Sequence, residues 1–455
     1  MAVNKIQITS SLHPVAGTES HCQKKIEKTS RVLTLATGGI LFLLLLSGTF
    51  FSSIANAQIN VTDLSNNEGS SILPQLAIVG DSMYAVWQDS TPGNFEVFFA
   101  SSIDAGATFS EPVNIGNTGG PVTSPRIAAE GSNVYVIWQD GSLGANEIFF
   151  TSSADGGTTF EEARNISNDG SSATFGQVTV VDNNALLVVW QGTSSGNDEI
   201  YLTSSNDAGA SFSDPINISN NEGSSITPQV DLSSNGTTYV TWVDSTPENL
   251  EIFFSKGING TFAIPLNVSS REVNDAAPRI DASDESDIAI IWAGASSSEG
   301  ADDIFVASST DAGDTFSEPM NISENEGSSL APLVSRSMVD PGSIIVAWQD
   351  STGMDFGDIF VASSTDGAQS FSDPINVSVS PGPSFTPALA RADDQVFLAW
   401  SASSVNFINQ ILFASSVDGG DSFGCPINLS TTTTSAQVPQ IATLANGTNT
   451  QPSVI

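Results

Sequence analysis

Tryptophan recurs along this chain with an almost constant spacing. Each of the seven tryptophans is separated from the next by 50 to 56 residues. They stand at Trp87, Trp138, Trp190, Trp242, Trp292, Trp348 and Trp400. A phenylalanine follows each of them by 20 to 24 residues, at Phe109, Phe160, Phe212, Phe262, Phe316, Phe371 and Phe423. Because a fixed period of this length is typical of repeat architectures, the sequence predicts one structural unit copied seven times.

Each unit contains four short runs of apolar residues, many of them β-branched or aromatic. In the first unit these runs cover residues 76–79, 83–87, 96–100 and 109–115, and they are separated by Gly, Pro, Asn and Ser. Such runs predict four strands per unit. No window of ten residues shows the periodicity of a helix.

Proline occupies the fourth run in six of the units, at Pro112, Pro215, Pro265, Pro319, Pro374 and Pro426. Since proline cannot donate a hydrogen bond within a central ladder, we expect the fourth strand to form the outer edge of its sheet. Four-stranded sheets of about 52 residues, packed face to face around an axis, make a β-propeller. The predicted fold class is therefore all-β, a seven-bladed β-propeller of four-stranded antiparallel blades over residues 58–436.

Two runs at the ends of the repeats are surplus to seven complete units. Residues 59–61 match a fourth strand that precedes unit one, and residues 439–442 match a first strand that follows unit seven. The surplus strands could be exchanged to close the ring, could form part of an eighth blade, or could mark a shortened C-terminus. Residues 437–455 are therefore predicted to be a partial repeat strand with a tail.

Residues 1–57 have the pattern of a segment for export. Five basic residues, Lys5, Lys24, Lys25, Lys28 and Arg31, precede an apolar run at 32–54 that closes with Ala55-Asn56-Ala57. This pattern predicts a secretory signal peptide with a small-residue cleavage site. An uncleaved run of this length would span a bilayer, so a retained N-terminal membrane anchor is the alternative. In both cases the rest of the chain is expected to be secreted or exposed at the cell surface.

The charge balance of the exported part excludes several classes of function. Removing residues 1–57 takes five bases and two acids from totals of 12 and 50, which leaves 7 bases, 48 acids and a formal charge of −41. Nucleic acid is not an expected partner, because its phosphates would be repelled. Both histidines, His13 and His21, are also removed, which excludes Ser-His-Asp chemistry and histidine-bound zinc. Cys425 would be the remaining cysteine, expected to pack as a free thiol without an intrachain disulfide.

A polar motif recurs between the third and fourth runs. In unit one it is Ser102-x-Asp104-x-Gly106-x-Thr108-Phe109. The aspartate is expected to accept hydrogen bonds from N–H groups of the turn, and the glycine to adopt a positive φ. Unit four has a shortened turn at 255–262, and unit six has Ala368 at the glycine position. The aspartates of the motif are Asp104, Asp155, Asp207, Asp311, Asp366 and Asp418.

This motif resembles the Asp-box (BNR) repeat of the sialidase-like β-propeller superfamily. The resemblance covers nearly all of residues 58–436 and implies that the six aspartates are structural, on the face away from the ligand site. For an enzyme of this type it further implies an arginine triad and a tyrosine nucleophile, which is an exceptional nucleophile among glycosidases. All four tyrosines, Tyr84, Tyr135, Tyr201 and Tyr239, occupy repeat positions that other units fill with apolar residues. We therefore expect them to pack between sheets.

Arginine replaces glutamine at one repeat position. Arg126 and Arg279 directly follow the proline that opens the first strand, where other units have Gln75, Gln177, Gln229 and Gln440. If the first strands line the axis, these side chains form a polar ring at the channel mouth. With Arg271 from a nearby loop, the arginines could bind a carboxylate, since paired guanidiniums suit that anion. The alternative is that they merely offset acidic neighbours. The predicted ligand-binding residues are Arg126, Arg279, Arg271, Gln75 and Gln229.

The loops on the same face are rich in carboxylates and amides. They carry the sequences at 66–71, 220–225 and 324–329 and an aspartate two residues after four of the tryptophans, at Asp89, Asp140, Asp244 and Asp350. Such a rim would suit glycans or Ca²⁺, although the alternative is a set of solvated turn caps. No cofactor other than a possible Ca²⁺ is expected.

Asparagine marks every fourth strand, and most copies lie in Asn-x-Ser/Thr. These are predicted glycan acceptors if exposed, or else outward polar residues copied with the repeat. They are Asn60, Asn165, Asn217, Asn267, Asn321, Asn376 and Asn428.

Together these features predict an exported, acidic, monomeric binding or scaffold module of the cell envelope. Its expected ligand is a carbohydrate or a cell-surface protein, and its expected contact with a membrane is through an uncleaved N-terminal segment. The alternative function is a sialidase-like exo-glycoside hydrolase.

Overall fold

The computed structural model describes residues 4–10 and 57–454, apart from short gaps at 169, 183, 259, 283–285, 298–299, 325–326, 352–356, 380–381, 404–407, 431–435 and 447–448. Every regular element in these ranges is a β-strand. No helix long and apolar enough to cross a membrane occurs among them. Most of the predicted signal or anchor segment, at residues 11–56, lies outside the described residues.

The seven repeat units form seven sheets, each described here from its first strand to its last. Blade one comprises β3 (Ser71–Val79), β4 (Ser82–Asp89), β5 (Glu96–Ser102) and β6 (Val113–Asn114). Blade two comprises β7 (Val122–Glu130), β8 (Asn133–Asp140), β9 (Glu147–Ser153) and β10 (Arg164–Asn165). Blade three comprises β11 (Ala173–Val180), β12 (Leu186–Gly192), β13 (Glu199–Ser205) and β14 (Ile216–Asn217). Blade four comprises β15 (Ser225–Leu232), β16 (Thr238–Asp244), β17 (Glu251–Ile258), β18 (Thr261–Phe262) and β19 (Leu266–Asn267).

The remaining repeat units follow the same order. Blade five comprises β20 (Asp275–Asp281), β21 (Ile288–Ala295), β22 (Asp302–Ser309) and β23 (Met320–Asn321). Blade six comprises β24 (Ser329–Arg336), β25 (Ile344–Asp350), β26 (Asp358–Ser364) and β27 (Ile375–Asn376). Blade seven comprises β28 (Ser384–Ala392), β29 (Gln395–Ser403), β30 (Asn409–Ser416) and β31 (Ile427–Asn428).

All pairings within the blades are antiparallel, and the blades are arranged in a ring with their first strands innermost. The predicted seven-bladed β-propeller is therefore confirmed; six blades have four strands, and blade four has five because β18 and β19 both pair with β17. The outer position of the fourth strand is confirmed as well. In blade one, for example, Pro112 directly precedes β6, and β6 pairs with β5 alone.

The two ends of the chain meet in a further sheet. It contains β1 (Asn4–Ser10), β2 (Ala57–Asp63), β32 (Ile441–Asn446) and β33 (Asn449–Val454), in the order β2-β1-β33-β32. Strand β32 packs against β28 of blade seven and against β3 of blade one, so this closing sheet lies between those blades. The two surplus runs thus lie in one additional sheet, as one of the three sequence-based alternatives predicts.

The hydrophobic core lies between neighbouring blades. Each tryptophan is at most 1% exposed. In blade one, the ring of Trp87 stacks on Phe98 of the adjacent strand, with 6.2 Å between ring centroids. A neighbouring layer packs blade one on blade two through Tyr84 and Phe99 against Val134 and Trp138. Because a propeller blade buries both of its faces in this way, the repeated aromatic residues stabilise the ring as a whole.

Cys425 corrects one expectation from the sequence. It is disulfide-bonded, not a free packed thiol. Cys22, the other cysteine of the chain, lies outside the described residues.

Candidate functional site

Every inner strand contains a bulge close to its first residue. In β3 the register of pairing with β4 shifts between Ile72 and Gln75, and Leu73 between them has φ 52°. The same left-handed conformation occurs at Ser124, Phe175, Thr227, Ala277, Ala331, Thr386 and Val438. None of these residues is glycine, so each bulge is strained by about 1 to 2 kcal/mol. The strained residues form a ring at the end of the channel where the inner strands begin. Because such strain often occurs at functional sites, this end of the channel is a candidate functional site.

The polar ring predicted from the sequence lies directly after these bulges. Gln75 pairs with Val86 and Arg126 with Ile137, at equivalent positions of their blades. Each polar side chain donates a hydrogen bond to the carbonyl of the preceding proline. The distances are 2.7 Å for Gln75, 3.1 Å for Arg126, 2.8 Å for Gln229 and 3.0 Å for Arg279. These four predicted site residues therefore belong to one ring on the inner strands.

The two arginines of this ring lack a carboxylate partner within the described parts of the chain. Both side chains are half-buried. Burial lowers the pKa of Arg126. Burial also lowers the pKa of Arg279, and the positive charge of Arg126 lowers it further. The like charge of Arg126 thus disfavours the charged form of Arg279.

Arg271, the expected third member of the clamp, is already paired within blade five, unlike Arg126 and Arg279. Its guanidinium forms an ion pair of 2.7 Å with Asp275, donates to the carbonyl of Ala295, and lies 3.6 Å above the ring of Phe305. Blade five has Gly294 where four other blades have an aspartate. A Cβ on Gly294 would lie 2.0 Å from the Asp275 carboxylate, so Asp275 fills the place of that aspartate and Arg271 pairs with it.

The other basic residues of the propeller are also engaged in contacts with the protein. Lys256 pairs with Asp314 at 2.7 Å, and Arg336 pairs with Asp281 at 2.9 Å. Arg164 donates to the carbonyl of Ala210 at 2.7 Å, and Arg391 donates to Ser343 at 2.6 Å. Arg126 and Arg279 therefore differ from every other basic residue of 58–454, since their hydrogen bonds go to the prolines directly before them.

The four aspartates of the expected acidic rim are not exposed, which corrects that part of the prediction, whereas Glu68, Glu222 and Glu324 of its loops are exposed. Asp89, Asp140, Asp244 and Asp350 are at most 1% exposed. Asp89 accepts hydrogen bonds from Trp87 Nε1 at 3.2 Å, Ser71 Oγ at 2.6 Å and Asn67 Nδ2 at 2.9 Å. Burial alone would raise the pKa of Asp89, but these hydrogen bonds and those from Thr91 lower it below its ordinary value. The four aspartates thus organise the loops from within.

No group of three or more acidic, histidine or cysteine side chains in the described residues is arranged to hold a metal ion.

The aspartates of the repeated motif lie at the opposite end of the blades. Asp104 accepts hydrogen bonds from the Thr108 N–H at 2.9 Å, the Thr108 hydroxyl at 2.6 Å and the Ser102 hydroxyl at 2.7 Å. These bonds, led by the one from the Thr108 hydroxyl, lower the pKa of Asp104 to about 2. Gly106 has φ 78°, as the motif predicts. Equivalent hydrogen bonds hold Asp155, Asp207, Asp311, Asp366 and Asp418.

All four tyrosines pack between sheets, as their repeat positions predict. Tyr84, Tyr135 and Tyr239 are at most 2% exposed and stack on a phenylalanine of the adjacent strand. Tyr201 stacks on Trp190, with 6.1 Å between ring centroids. A tyrosine nucleophile at the channel mouth is therefore absent.

The asparagines of the fourth strands take part in a repeated hydrogen-bond network. Asn321 Nδ2 donates to Asp303 at 2.8 Å, Ser323 Oγ donates to the same carboxylate at 3.0 Å, and Asn321 Oδ1 accepts from the Ser323 N–H at 3.1 Å. Asn376 and Ser378 bind Asp358 in the same way. The network gives the Asn-x-Ser pattern a structural use in these blades.

One residue at the mouth was missed by the reasoning from sequence. Phe175 lies in the bulge of blade three, with φ 54°, and is 50% exposed. A usable signal was present, because the equivalent positions of neighbouring blades carry Ser124 and Thr227.

Comparison with known proteins gives a fold and no family. No family model matches the sequence, and no curated protein matches it. Among solved structures, the polysaccharide lyase Uly1 aligns over 81% of this chain and 93% of its own, with 9% identity and a TM-score of 0.52. A PL25 ulvan lyase aligns over 72% and 88%, with 12% identity and a TM-score of 0.49. The α-L-arabinofuranosidase arb93a from Fusarium graminearum aligns over 61% and 88%, with 13% identity and a TM-score of 0.41. At 9% identity the similarity to Uly1 concerns the fold alone.

Proposed function

We propose that this chain is an exported binding module that recognises anionic carbohydrate at the mouth of its central channel. Arg126 and Arg279 bind the acidic groups of the ligand, and Gln75 and Gln229 supply neighbouring amide donors. The observation that carries the proposal is a pair of half-buried arginines that have no carboxylate partner among the residues that the structure describes.

Burial and the positive charge of Arg126 lower the pKa of Arg279, so the two like charges interact unfavourably in the ligand-free ring. A bound anion would relieve that repulsion, and its binding would be strengthened because water is partly excluded from the channel. Guanidinium groups match carboxylate and sulfate oxygens with two parallel hydrogen bonds, which favours Arg over the Gln of other blades. The protein carries a formal charge of −38, so these two arginines offer a rare attractive point for an anion.

The fold supports a carbohydrate ligand over other anions. Uly1, which shares the propeller, is named as a polysaccharide lyase. The hydrogen-bonded Ser-x-Asp turns further support membership of the sialidase-like Asp-box superfamily, with the six aspartates as structural residues. Three of the tyrosines are buried and Tyr201 stacks on Trp190, so the proposal is binding without hydrolysis by a tyrosine nucleophile.

The proposal includes the predicted export of the chain. Residues 1–57 direct export and are retained, because β1 (Asn4–Ser10) belongs to the closing sheet. Residues 58–436 form the binding propeller, with 437–455 in ring closure. The asparagines of the fourth strands then face an extracytoplasmic environment, in which those without a hydrogen-bonded Nδ2 are the better candidates for modification.

An array of acidic and neutral glycans, probed with the full chain, tests this function. We expect retention on uronic-acid and sulfated glycans, no retention on neutral ones, and no released sugar. Arg126→Gln and Arg279→Gln should each reduce retention, whereas Arg164→Gln, which removes the same charge at the outer edge of blade two, should not. Equal retention of the neutral glycans, or equal effects of all three variants, would contradict the proposal.

A further inference from the structure

Each channel arginine has an exposed apolar side chain on the next inner strand. Strand β11 lies beside β7, which carries Arg126, and its Phe175 is 50% exposed. Strand β24 lies beside β20, which carries Arg279, and its Leu330 is 42% exposed. Each arginine and the exposed apolar side chain of the next inner strand are called a pair here. Phe175 lies at the bulge of its strand, and Leu330 lies one residue before the bulge of its own.

Phe175 is an unusual residue for its backbone conformation. A bulky side chain at φ 54° is a true outlier, since the left-handed region is adopted mainly by Gly, Asn and Asp. The side chain of Phe175 is also half exposed, so its burial contributes little to stability. A phenylalanine that is both strained and exposed is not explained by packing within blade three.

Blade three also differs at the next residue. In the six other blades the bulge of the inner strand is followed by a proline, for example Pro125 in β7, whereas β11 has Gly176. A Cβ on Gly176 would lie 3.0 Å from Ile137 Cδ1, so the backbone approaches blade two closely here. Glycine thus places the bulge of Phe175 close to the blade that carries Arg126.

We propose that the two pairs are subsites for two uronic-acid residues of one oligosaccharide that lies across the channel mouth. In each subsite the arginine binds the carboxylate, and the apolar side chain packs on the C–H face of the sugar ring. A free anion could use the arginines alone, but it would gain nothing from Phe175 and Leu330. This inference rests on the proposed function and adds to it the ligand class and its valency.

Two linked subsites should make affinity depend on chain length. Once one uronate is bound, the second binds as an intramolecular event, so avidity exceeds the affinity of one unit by roughly 100-fold or more. Losing either subsite should return the oligomer to the affinity of the monomer. Both expectations are specific to two subsites on one ligand.

Calorimetric titration of the full chain with galacturonate, its longer oligomers and inorganic sulfate tests the inference. We expect oligomers above a threshold length to bind about 100-fold tighter than the monomer. Phe175→Thr and Leu330→Thr should weaken oligomer binding about tenfold each and leave sulfate binding unchanged. Thr227 occupies the position of Phe175 in blade four, so the first variant is compatible with the fold.

The outcomes separate the two proposals. If monomer and oligomer bind equally and Phe175→Thr has no effect, while Arg126→Gln and Arg279→Gln abolish binding, the subsites are refuted and the anion site stands. If neither galacturonate nor sulfate binds, both proposals fail. Oligomers whose carboxylates have been reduced to alcohols serve as the neutral control, and their binding with unchanged affinity would also overturn the inference.

Discussion

Gly157 of blade two lies directly against the ring of Phe99 of blade one. A Cβ atom on Gly157 would be 2.2 Å from Phe99 Cζ, and the residue has φ 82°. Gly209 is related to Phe150 in the same way, at 2.4 Å. The glycine of the repeated turn is therefore required for two reasons. Its φ is positive, and a Cβ atom would overlap the aromatic residue of the preceding blade.

Gly157→Ala should lower the free energy of unfolding by about 2 to 4 kcal/mol. The left-handed conformation contributes about 1 to 2 kcal/mol of this loss, and overpacking against Phe99 contributes the rest. Urea denaturation measures the change. A loss below about 1 kcal/mol would show that the blades shift apart easily.

Ala368 provides a natural control for this relationship. It has φ 68° at the equivalent position of blade six, and Val306 stands in the preceding blade where Phe99 stands in blade one. Ala368→Gly should change stability by less than about 1 kcal/mol, because relief of backbone strain offsets the lost methyl burial and the added chain entropy. A large loss would mean that the methyl group is essential to the packing of that interface.

Trp242→Phe should cost about 1 kcal/mol more than Trp190→Phe. Trp242 Nε1 donates to the buried carboxylate of Asp244 at 2.9 Å, whereas Trp190 has Gly192 in place of the aspartate and its Nε1 lacks a partner among the described residues. The first variant removes a hydrogen bond to a buried acceptor and the second does not. Thermal or urea unfolding of both variants gives the comparison, and equal costs would contradict it.

Asp275→Asn should gain stability relative to the wild type as the pH rises from about 4 to 7. Burial raises the pKa of Asp275 to about 6, although Arg271 opposes the shift. Folding therefore favours the protonated form. The stability that this form contributes is lost as the pH rises from the pKa of the unfolded state through about 6. The difference in the free energy of unfolding between the variant and the wild type should change by up to about 3 kcal/mol over this pH range.

Asp89→Asn should show the opposite pH dependence. The pKa of Asp89 is lowered, so folding favours its ionised form. This form contributes stability at pH values above the pKa of the unfolded state, and that stability is lost on acidification. The variant should be most destabilised near neutral pH. Unfolding free energies of both variants measured across this pH range provide the check, and parallel curves would contradict the assigned directions.

Asn321 and Asn376 should stay unmodified when the chain is exported from a glycosylating host. Their Nδ2 groups donate to buried carboxylates, so attaching a glycan would break a hydrogen bond to a charged group. Glycopeptide mass spectrometry gives the occupancy of each site. Full occupancy at Asn321 would show that the network forms after modification or opens easily.

The period of the repeat was enough to predict the blades, because each unit carries its own strands and turns. The ring at Arg126 was also predictable, since its position relative to the opening proline is local. Asp89 was misjudged although its signal was present: residues two apart on a strand share a face, so an aspartate two after a buried tryptophan is buried too. Arg271 was not predictable, because its partner Asp275 fills space left by Gly294, and that exchange is visible only in three dimensions.

Thermal unfolding of Arg126→Gln/Arg279→Gln, with and without galacturonate oligomers, tests the central claim most directly. Removing two like charges that repel should make the ligand-free variant unfold at a higher temperature than the wild type. Ligand should raise the unfolding temperature of the wild type and not that of the variant. A variant that is less stable than the wild type and still stabilised by the ligand would contradict the assignment of the two arginines as the anion site.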